Sequence, residues 1–327
     1  YDIDNAEAVT LTGQTVIKST ADMANLKYNK ELGTKDVDSN IYIDTDSVFF
    51  SAVPLMEKRF PNWKNETQET IAGYVDGIAG EVQDYLNNFY DILSEKIFNV
   101  DRTKHRFEIK KEFVAKSGLW VAKKRYAQWI IMNNGIPMDK LDVKGLDVKR
   151  SSFPKAFQEI MAEVLISILR GETETQISDK VLAFKKSMTE LNVKDIAKNS
   201  AVKELTKYMG KKRQLFQVEK GTPAHVKAAI AYNDCLKHFD APFKYSPMGN
   251  GDKVKWVYLK NNPLGLDGLA FTGYQDPPEI ENFVNTYVDH NRIFEAELQG
   301  KLQDFFDAVG WGQVVSEQRA AEKFFSF

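Results

Sequence analysis

The chain has 327 residues and a net charge of −2, and 43% of its residues are hydrophobic and 28% charged. This composition is typical of a globular protein with one large domain or two smaller ones. No membrane-spanning helix is indicated, because no apolar run reaches about 18 residues. The single cysteine, Cys235, excludes an internal disulfide and fits a reducing compartment.

The near-neutral net charge hides strong local asymmetry. Residues 66–95 contain seven acidic residues and no Lys or Arg. Residues 102–126 contain nine Lys or Arg against two Glu, and residues 198–227 contain eight against two. A charge run often forms only a solvated face. Aromatic residues are interleaved with both basic runs, however, and this pattern predicts a surface that binds a polyanion such as nucleic acid.

The first part of the chain predicts helices packed on an antiparallel sheet, an α+β layer. Helical spacing begins directly at the N-terminus, which predicts that the chain is a portion of a longer protein. Residues 41–53 predict two short strands around a tight turn. Predicted helices cover residues 4–27 and 66–98, the latter as one long helix or a helix pair. Predicted strands cover residues 105–116, 118–133 and 138–148, the first two joined through Lys116–Gly118.

After about residue 150 the pattern becomes mainly helical, which predicts a domain boundary there. Predicted helices cover residues 155–170, 174–190, 222–239 and 280–308, and residues 252–260 predict a strand. Ser151 or Ser152 is the expected N-cap of the first of these helices, with Pro154 in its first turn. Thr222 is the expected cap of the third, with Pro223 at its first position.

Two aspartates, Asp44 and Asp46, lie one residue apart between apolar arms. Side chains two residues apart on extended chain point to one side, and two close carboxylates ionise together readily when a cation lies near them. Hard oxygen ligands suit Mg²⁺. The alternative is that Asp-Thr-Asp-Ser is simply a turn sequence that binds its own backbone.

Three consecutive cations, Lys123, Lys124 and Arg125, lie inside what reads as a strand. Alternation predicts Lys124 on the face opposite the other two. Charges can protect an exposed strand edge, but the flanking apolar residues favour a central strand, where cations need an anion such as phosphate. The four histidines have no zinc-ligand spacing, and phosphate-binding glycine loops and a hydrolase nucleophile elbow are absent.

These two motifs, in this order, resemble motif C and the K-K-R-Y motif of family B DNA polymerases. The segments that carry the resemblance are YIDTDS at 42–47 and KKRYA at 123–127. Four others resemble T-even-type phage polymerases: residues 1–14, 143–158, 228–233 and 254–265. The resemblance covers essentially the whole chain, from the middle of the palm to the C-terminus. It implies a palm portion at 1–150, a thumb at 151–318 and a clamp-binding tail at 319–327.

The resemblance also implies site residues. Asp46 is the expected direct ligand of a two-metal Mg²⁺ site, with Asp44 as the supporting carboxylate and Glu112 as a loosely matched third. The residues expected to contact primer or template DNA are Thr45, Lys123, Lys124, Arg125, Tyr126, Arg150, Lys211, Lys212, Arg213 and Tyr232. The tail residues expected to bind a sliding clamp are Phe324, Phe325 and Phe327, unless the tail is only a disordered apolar end.

Parts of the family pattern are missing from this chain, namely motif A, the finger motif and the exonuclease region. The resemblance therefore implies a C-terminal subunit of a split DNA-directed DNA polymerase, inactive alone. It would act on deoxynucleoside triphosphates and primer–template DNA in the cytoplasm of an infected bacterium, with a partner chain bearing motif A and fingers. A shortened piece of a full-length polymerase predicts the same chemistry. The alternative function is a non-catalytic fragment that binds DNA and tethers a sliding clamp.

Overall fold

The computed structural model describes residues 2–209, 213–241 and 243–315, and it is α+β, as the sequence predicts. The chain divides into two compact units. The first contains Tyr1–Gly118 and Gln128–Asp142, and the second contains Leu119–Ala127 and Val143–Phe327. No helix among the described residues is both long and apolar enough to cross a membrane. The expected palm, thumb and tail boundaries stay predictions.

The first unit includes three α-helices and a β-hairpin. The helices are α1 (Ile3–Leu32), α2 (Val53–Arg59) and α3 (Gln68–Ile97), and the hairpin strands are β1 (Asn40–Asp44) and β2 (Ser47–Phe50). Asp2 caps α1 and Thr67 caps α3, each by accepting a bond from a backbone N–H of the first turn. The core where the helices meet includes Tyr28, Leu55 and Ile78. The predicted segment 66–98 is therefore one helix.

A second sheet has the strand order β3-β4-β5. Its strands are β3 (Phe113–Ala122), β4 (Arg125–Asn133) and β5 (Ile136–Lys144). The prediction that β3 and β4 join through Lys116–Gly118 is wrong. Gly118 lies inside β3, and the chain turns at Lys123 and Lys124, where Lys124 takes the positive φ of 61° that such a tight turn requires.

The second unit packs helices on an antiparallel sheet. Its first four helices are α4 (Lys155–Leu169), α5 (Glu174–Ser187), α6 (Val193–Ile196) and α7 (Ala224–His238). The strands are β6 (Lys198–Ala201), β7 (Lys253–Tyr258) and β8 (Gly268–Phe271), in the order β6-β7-β8, and α7 packs against β8. Buried side chains that line these elements include Phe157, Leu165 and Ile230.

The predicted helix at 280–308 is interrupted. It divides into α8 (Pro278–Tyr287), α9 (His290–Ile293) and α10 (Gly300–Ala308), and a π-helical stretch joins the last two. The break falls at Val288 and Asp289, because Val288 bridges to Leu259 and the Asp289 N–H donates to Tyr258 at the end of β7.

The predicted N-caps are also wrong by a few residues. Neither Ser151 nor Ser152 caps α4, which begins directly after Pro154. Likewise α7 begins after Pro223, and the Thr222 hydroxyl donates to the Glu219 carbonyl instead of capping. In both places proline, with its fixed φ, occupies the position that precedes the helix.

Candidate functional site

The β1–β2 hairpin presents Asp44 and Asp46 at its tip. Asp44 pairs with Ser47, so Thr45 and Asp46 form a two-residue turn. Thr45 adopts a φ of 22°, which is rare for a β-branched residue. The Thr45 hydroxyl donates to Asp44 Oδ1 over 3.2 Å, and the Ser47 hydroxyl donates to the Asp44 carbonyl oxygen over 3.4 Å. The turn therefore forms hydrogen bonds within itself, as the alternative interpretation predicts, and it carries both Asp44 and Asp46 at the end of the hairpin.

Aromatic contacts hold the hairpin against its own unit. Phe50 packs edge-on against Tyr28 of α1 with ring centroids 5.7 Å apart. On the other side Phe49 contacts Tyr42 at 6.0 Å and Phe113 at 5.9 Å. These contacts anchor the strand that leaves the turn, so the position of the tip follows from the packing of its base.

Two asparagines of α1, which the sequence patterns did not indicate, fix the entry into β1. Asn29 is buried; its amide donates to the Val37 carbonyl over 2.8 Å, and its oxygen accepts from the Val37 N–H over 3.1 Å. One turn earlier, the Asn25 oxygen accepts from the Ser39 N–H over 2.8 Å. The signal in the sequence was present as two asparagines four residues apart on a helix, directly before a polar loop.

The donor chemistry at this tip fits Mg²⁺. Mg²⁺ usually takes one or two carboxylates and completes its octahedron with water and phosphate oxygens, and Asp44 and Asp46 supply two. Within the described residues no group of three His, Cys, Asp or Glu side chains is arranged to hold a metal ion. Glu112 thus forms no such group with the two aspartates; its backbone oxygen accepts from the Asn134 N–H over 2.8 Å.

The second unit presents a basic turn, defined here as Lys123–Arg125. Lys123 and Lys124 are exposed at the tip between β3 and β4 rather than inside a strand, so the predicted alternation of their side chains is wrong. Arg125 opens β4 and donates to Asp304 Oδ2 of α10 over 3.1 Å. Tyr126 is buried and stacks on Trp120 with centroids 6.1 Å apart. Two cations therefore face solvent while the next two residues anchor the turn.

Part of the basic run upstream neutralises the acidic helix α3. Arg102 donates to both carboxylate oxygens of Glu95 over 2.8 Å, and Lys111 pairs with Asp76. His105 Nδ1 accepts from the Phe107 N–H, so its Nε2 carries the hydrogen that bonds Asp91 over 2.9 Å. The acidic run at 66–95 and the basic run at 102–126 thus partly neutralise each other.

The other residues predicted to bind DNA make bonds or contacts within the protein where the structure describes them, although the Arg150 side chain is 71% exposed. Arg150 donates to Asp147 over 2.7 Å, and Lys301 of α10 also bonds this carboxylate. Burial raises the pKa of Asp147, but the bonds from Lys301 and Arg150 together hold it below its usual value. Tyr232 is only 1% exposed, and burial, then nearby Asp276, raises its pKa.

Arg213 forms a two-bond ion pair with Asp234 of α7, with both distances 2.6 Å. Its side chain is 12% exposed and that of Asp234 is 0% exposed. This geometry leaves little of the Arg213 side chain accessible to a ligand such as DNA. The remaining predicted positions, Lys211, Lys212, Phe324, Phe325 and Phe327, lie outside the described residues, and every DNA and clamp contact stays a prediction.

Comparison with known proteins now identifies the class. Residues 80–305, more than half of the chain, match DNA polymerase family B, so the chain belongs to that family, as the two motifs indicated. Two curated relatives are each named DNA-directed DNA polymerase. The one from Enterobacteria phage T4 is 28% identical and the one from Escherichia phage RB69 is 27% identical, over 95% and 94% of this chain. The chain spans about a third of each relative, 34% of its length.

Proposed function

We propose that this chain is the motif C and duplex-binding portion of a DNA-directed DNA polymerase, which transfers nucleotides from deoxynucleoside triphosphates to a primer. The observation that carries the proposal is the Asp44–Ser47 turn, held at the tip of an anchored hairpin in a member of family B. Its phage relatives support a role in the cytoplasm of an infected bacterium.

In this function Asp46 is a direct metal ligand and Asp44 the supporting one. Mg²⁺ bound there supplies charge neutralisation for the phosphoryl oxygens of the reacting groups. The chain's own contribution is positioning. The hairpin fixes the two carboxylates, and Lys123 and Lys124 bind the phosphate backbone of the primer–template duplex through contacts that do not read sequence.

A third carboxylate has to come from elsewhere, because the chain lacks motif A and the described residues hold no three-ligand group. The proposed partner is the polymerase portion that bears motif A and the fingers. Ile41 and Ile43 are exposed on one face of the hairpin. A partner segment that packs on this face would bury these apolar side chains. The clamp-binding role of Phe324, Phe325 and Phe327 belongs to the same proposal.

Primer extension tests this function. The chain is mixed with a polymerase portion that bears motif A and the fingers, and incorporation is measured with Mg²⁺. Asp46→Asn is expected to lower the rate at least about 100-fold, because a charged ligand of a charge-neutralising site is lost. The matched control is Asp36→Asn, which removes an exposed charge from the loop before β1.

Three outcomes decide the proposal. Extension that falls with Asp46→Asn and not with Asp36→Asn supports it, and extension that is unchanged in Asp46→Asn contradicts it. Salt-dependent duplex binding with no extension under any mixture favours the alternative, a non-catalytic fragment that binds DNA.

A further inference from the structure

The basic turn lies against a glycine from a distant part of the second unit. Gly145 follows β5 and has a φ of +65°, and a Cβ built there would lie 2.1 Å from the Lys124 carbonyl oxygen. The same Cβ would lie 3.4 Å from Cγ of Arg125. A side chain at position 145 would therefore displace the backbone of the turn, because no real Cβ approaches an oxygen so closely.

The side chain of Arg125 is held from a second direction by α10. Its guanidinium donates to Asp304, and the two side chains are 38% and 43% exposed. Phe305, the next residue of α10, is fully buried, which fixes the helix that carries Asp304. One turn earlier Lys301 bonds Asp147, two residues after Gly145. The helix thus holds Arg125 and the segment that contains Gly145.

From this geometry we infer that Gly145 and Asp304 are positioning residues for DNA binding by the basic turn. Gly145 sets the path of the Lys124 backbone, and Asp304 fixes the side chain of Arg125. The turn that carries the two exposed lysines is then held in one conformation before DNA binds. Less conformational entropy is therefore lost on binding. Neither residue touches DNA in this inference, which rests on the proposed DNA contact of the turn.

Backbone hydrogen exchange measures the positioning without any DNA. In the full chain, exchange of a peptide that covers residues 119–127 is compared between Gly145→Ala and Gly265→Ala. Gly265 is a matched control, since its φ is +64° and nothing lies within 4 Å of its built Cβ. We expect exchange about tenfold faster in Gly145→Ala only, because the turn opens to relieve the clash. Equal exchange in both variants overturns the inference.

The ion pair is tested separately, because its loss leaves the fold intact. Asp304→Asn is compared with Asp307→Asn, which removes an exposed charge from the same helix. A half-exposed pair is worth little, so exchange at residues 119–127 should rise about two- to fivefold in Asp304→Asn and stay unchanged in Asp307→Asn. The same variants are then titrated with a primer–template oligonucleotide duplex at several salt concentrations.

We expect Gly145→Ala to bind this duplex about tenfold more weakly than Gly265→Ala, and Asp304→Asn about two- to fivefold more weakly than Asp307→Asn. Adding Lys124→Ala to Gly145→Ala should cause no further loss of affinity, since both changes remove the same contact between the turn and the DNA backbone.

Additive losses, or tighter binding by Asp304→Asn than by its control, overturn the inference. If the parent chain binds no duplex, the proposed function fails. Hydrogen exchange then decides by itself whether Gly145 and Asp304 position the turn.

Discussion

The ion pair between Arg213 and Asp234 gives a direct test of whether Arg213 stabilises the fold or binds DNA. Asp234 is completely buried and accepts two bonds from the Arg213 guanidinium and a third from the Phe216 N–H over 2.8 Å. The bonds to Asp234 raise the pKa of Arg213, although burial opposes this. We predict that Arg213→Met destabilises the second unit strongly, because it leaves a buried carboxylate with one donor.

The magnitude follows from the burial of both partners. Removing one member of a buried pair costs about 3–5 kcal/mol, since the remaining charge stays out of water without compensation. For a unit of roughly 150–250 residues, each kcal/mol corresponds to about 2–4 °C in Tm. We therefore expect a drop of about 6–20 °C. Replacing both residues, as Arg213→Met with Asp234→Leu, should recover most of the loss, because no buried charge then remains.

The assays are urea unfolding, which gives the unfolding free energy, and thermal unfolding, which gives Tm; both are followed by tryptophan fluorescence with far-UV circular dichroism as a second probe. The matched control is Lys203→Met, which removes an exposed cation from the same basic run and should change the unfolding free energy by less than about 0.5 kcal/mol. A loss in Arg213→Met no larger than this, at an unchanged m-value, would refute the reasoning. The reasoning would also be refuted if the slope of the logarithm of the duplex-binding constant against the logarithm of the salt concentration fell in magnitude by about 0.9, because the loss of one phosphate contact produces such a fall.

Two further predictions concern charge in the fold. Arg59 donates to both carboxylate oxygens of Glu31 and of Glu81, so Arg59→Met should lower the unfolding free energy by about 1–3 kcal/mol in urea titrations; a change below about 0.5 kcal/mol would contradict this. Burial, then Lys260, lowers the pKa of His290, and neither ring nitrogen has a hydrogen-bond partner among the described residues. The folded state therefore favours neutral His290, and stability should fall as pH falls below the ordinary value of about 6.5. His290→Phe should reduce this loss, measured as Tm between pH 5 and 8, and an unchanged profile would count against it.

The long elements were predictable because local periodicity determines them. The spacing that predicts α3 extends over eight turns, and the alternation around Asp44 and Asp46 predicts a hairpin whose strands the structure confirms. The turn between β3 and β4 was not predictable in the same way. Lys-Lys carries no turn signal, and Gly118, which does, lies inside a strand. A residue outside the turn bears on its path, because Gly145 leaves room for the Lys124 carbonyl oxygen.

Of the candidate sites, the residue types were predictable and their surroundings were not. Asp44 and Asp46 lie at the turn between two short strands, as the alternation predicts. Arg213 reads as one more cation in a basic run, yet a buried aspartate 21 residues later holds it. Gly145 falls inside the predicted strand at 138–148, and only the three-dimensional approach of the Lys124 carbonyl shows why a side chain is excluded there. Sequence patterns report charge, whereas the partner of each charge depends on the fold.

This difference also changes what the basic runs mean for DNA binding. In the run at 102–126, Arg102 and Lys111 bond carboxylates of α3, and Arg125 bonds Asp304 of α10. A cation that already neutralises a carboxylate contributes less to the field that a polyanion meets, and it releases fewer counterions on binding. The charge of the run therefore overstates its attraction for DNA. Lys123 and Lys124 are exposed at the tip of the basic turn, and the proposed contact with a phosphate backbone rests on these two positions rather than on the charge of the whole run.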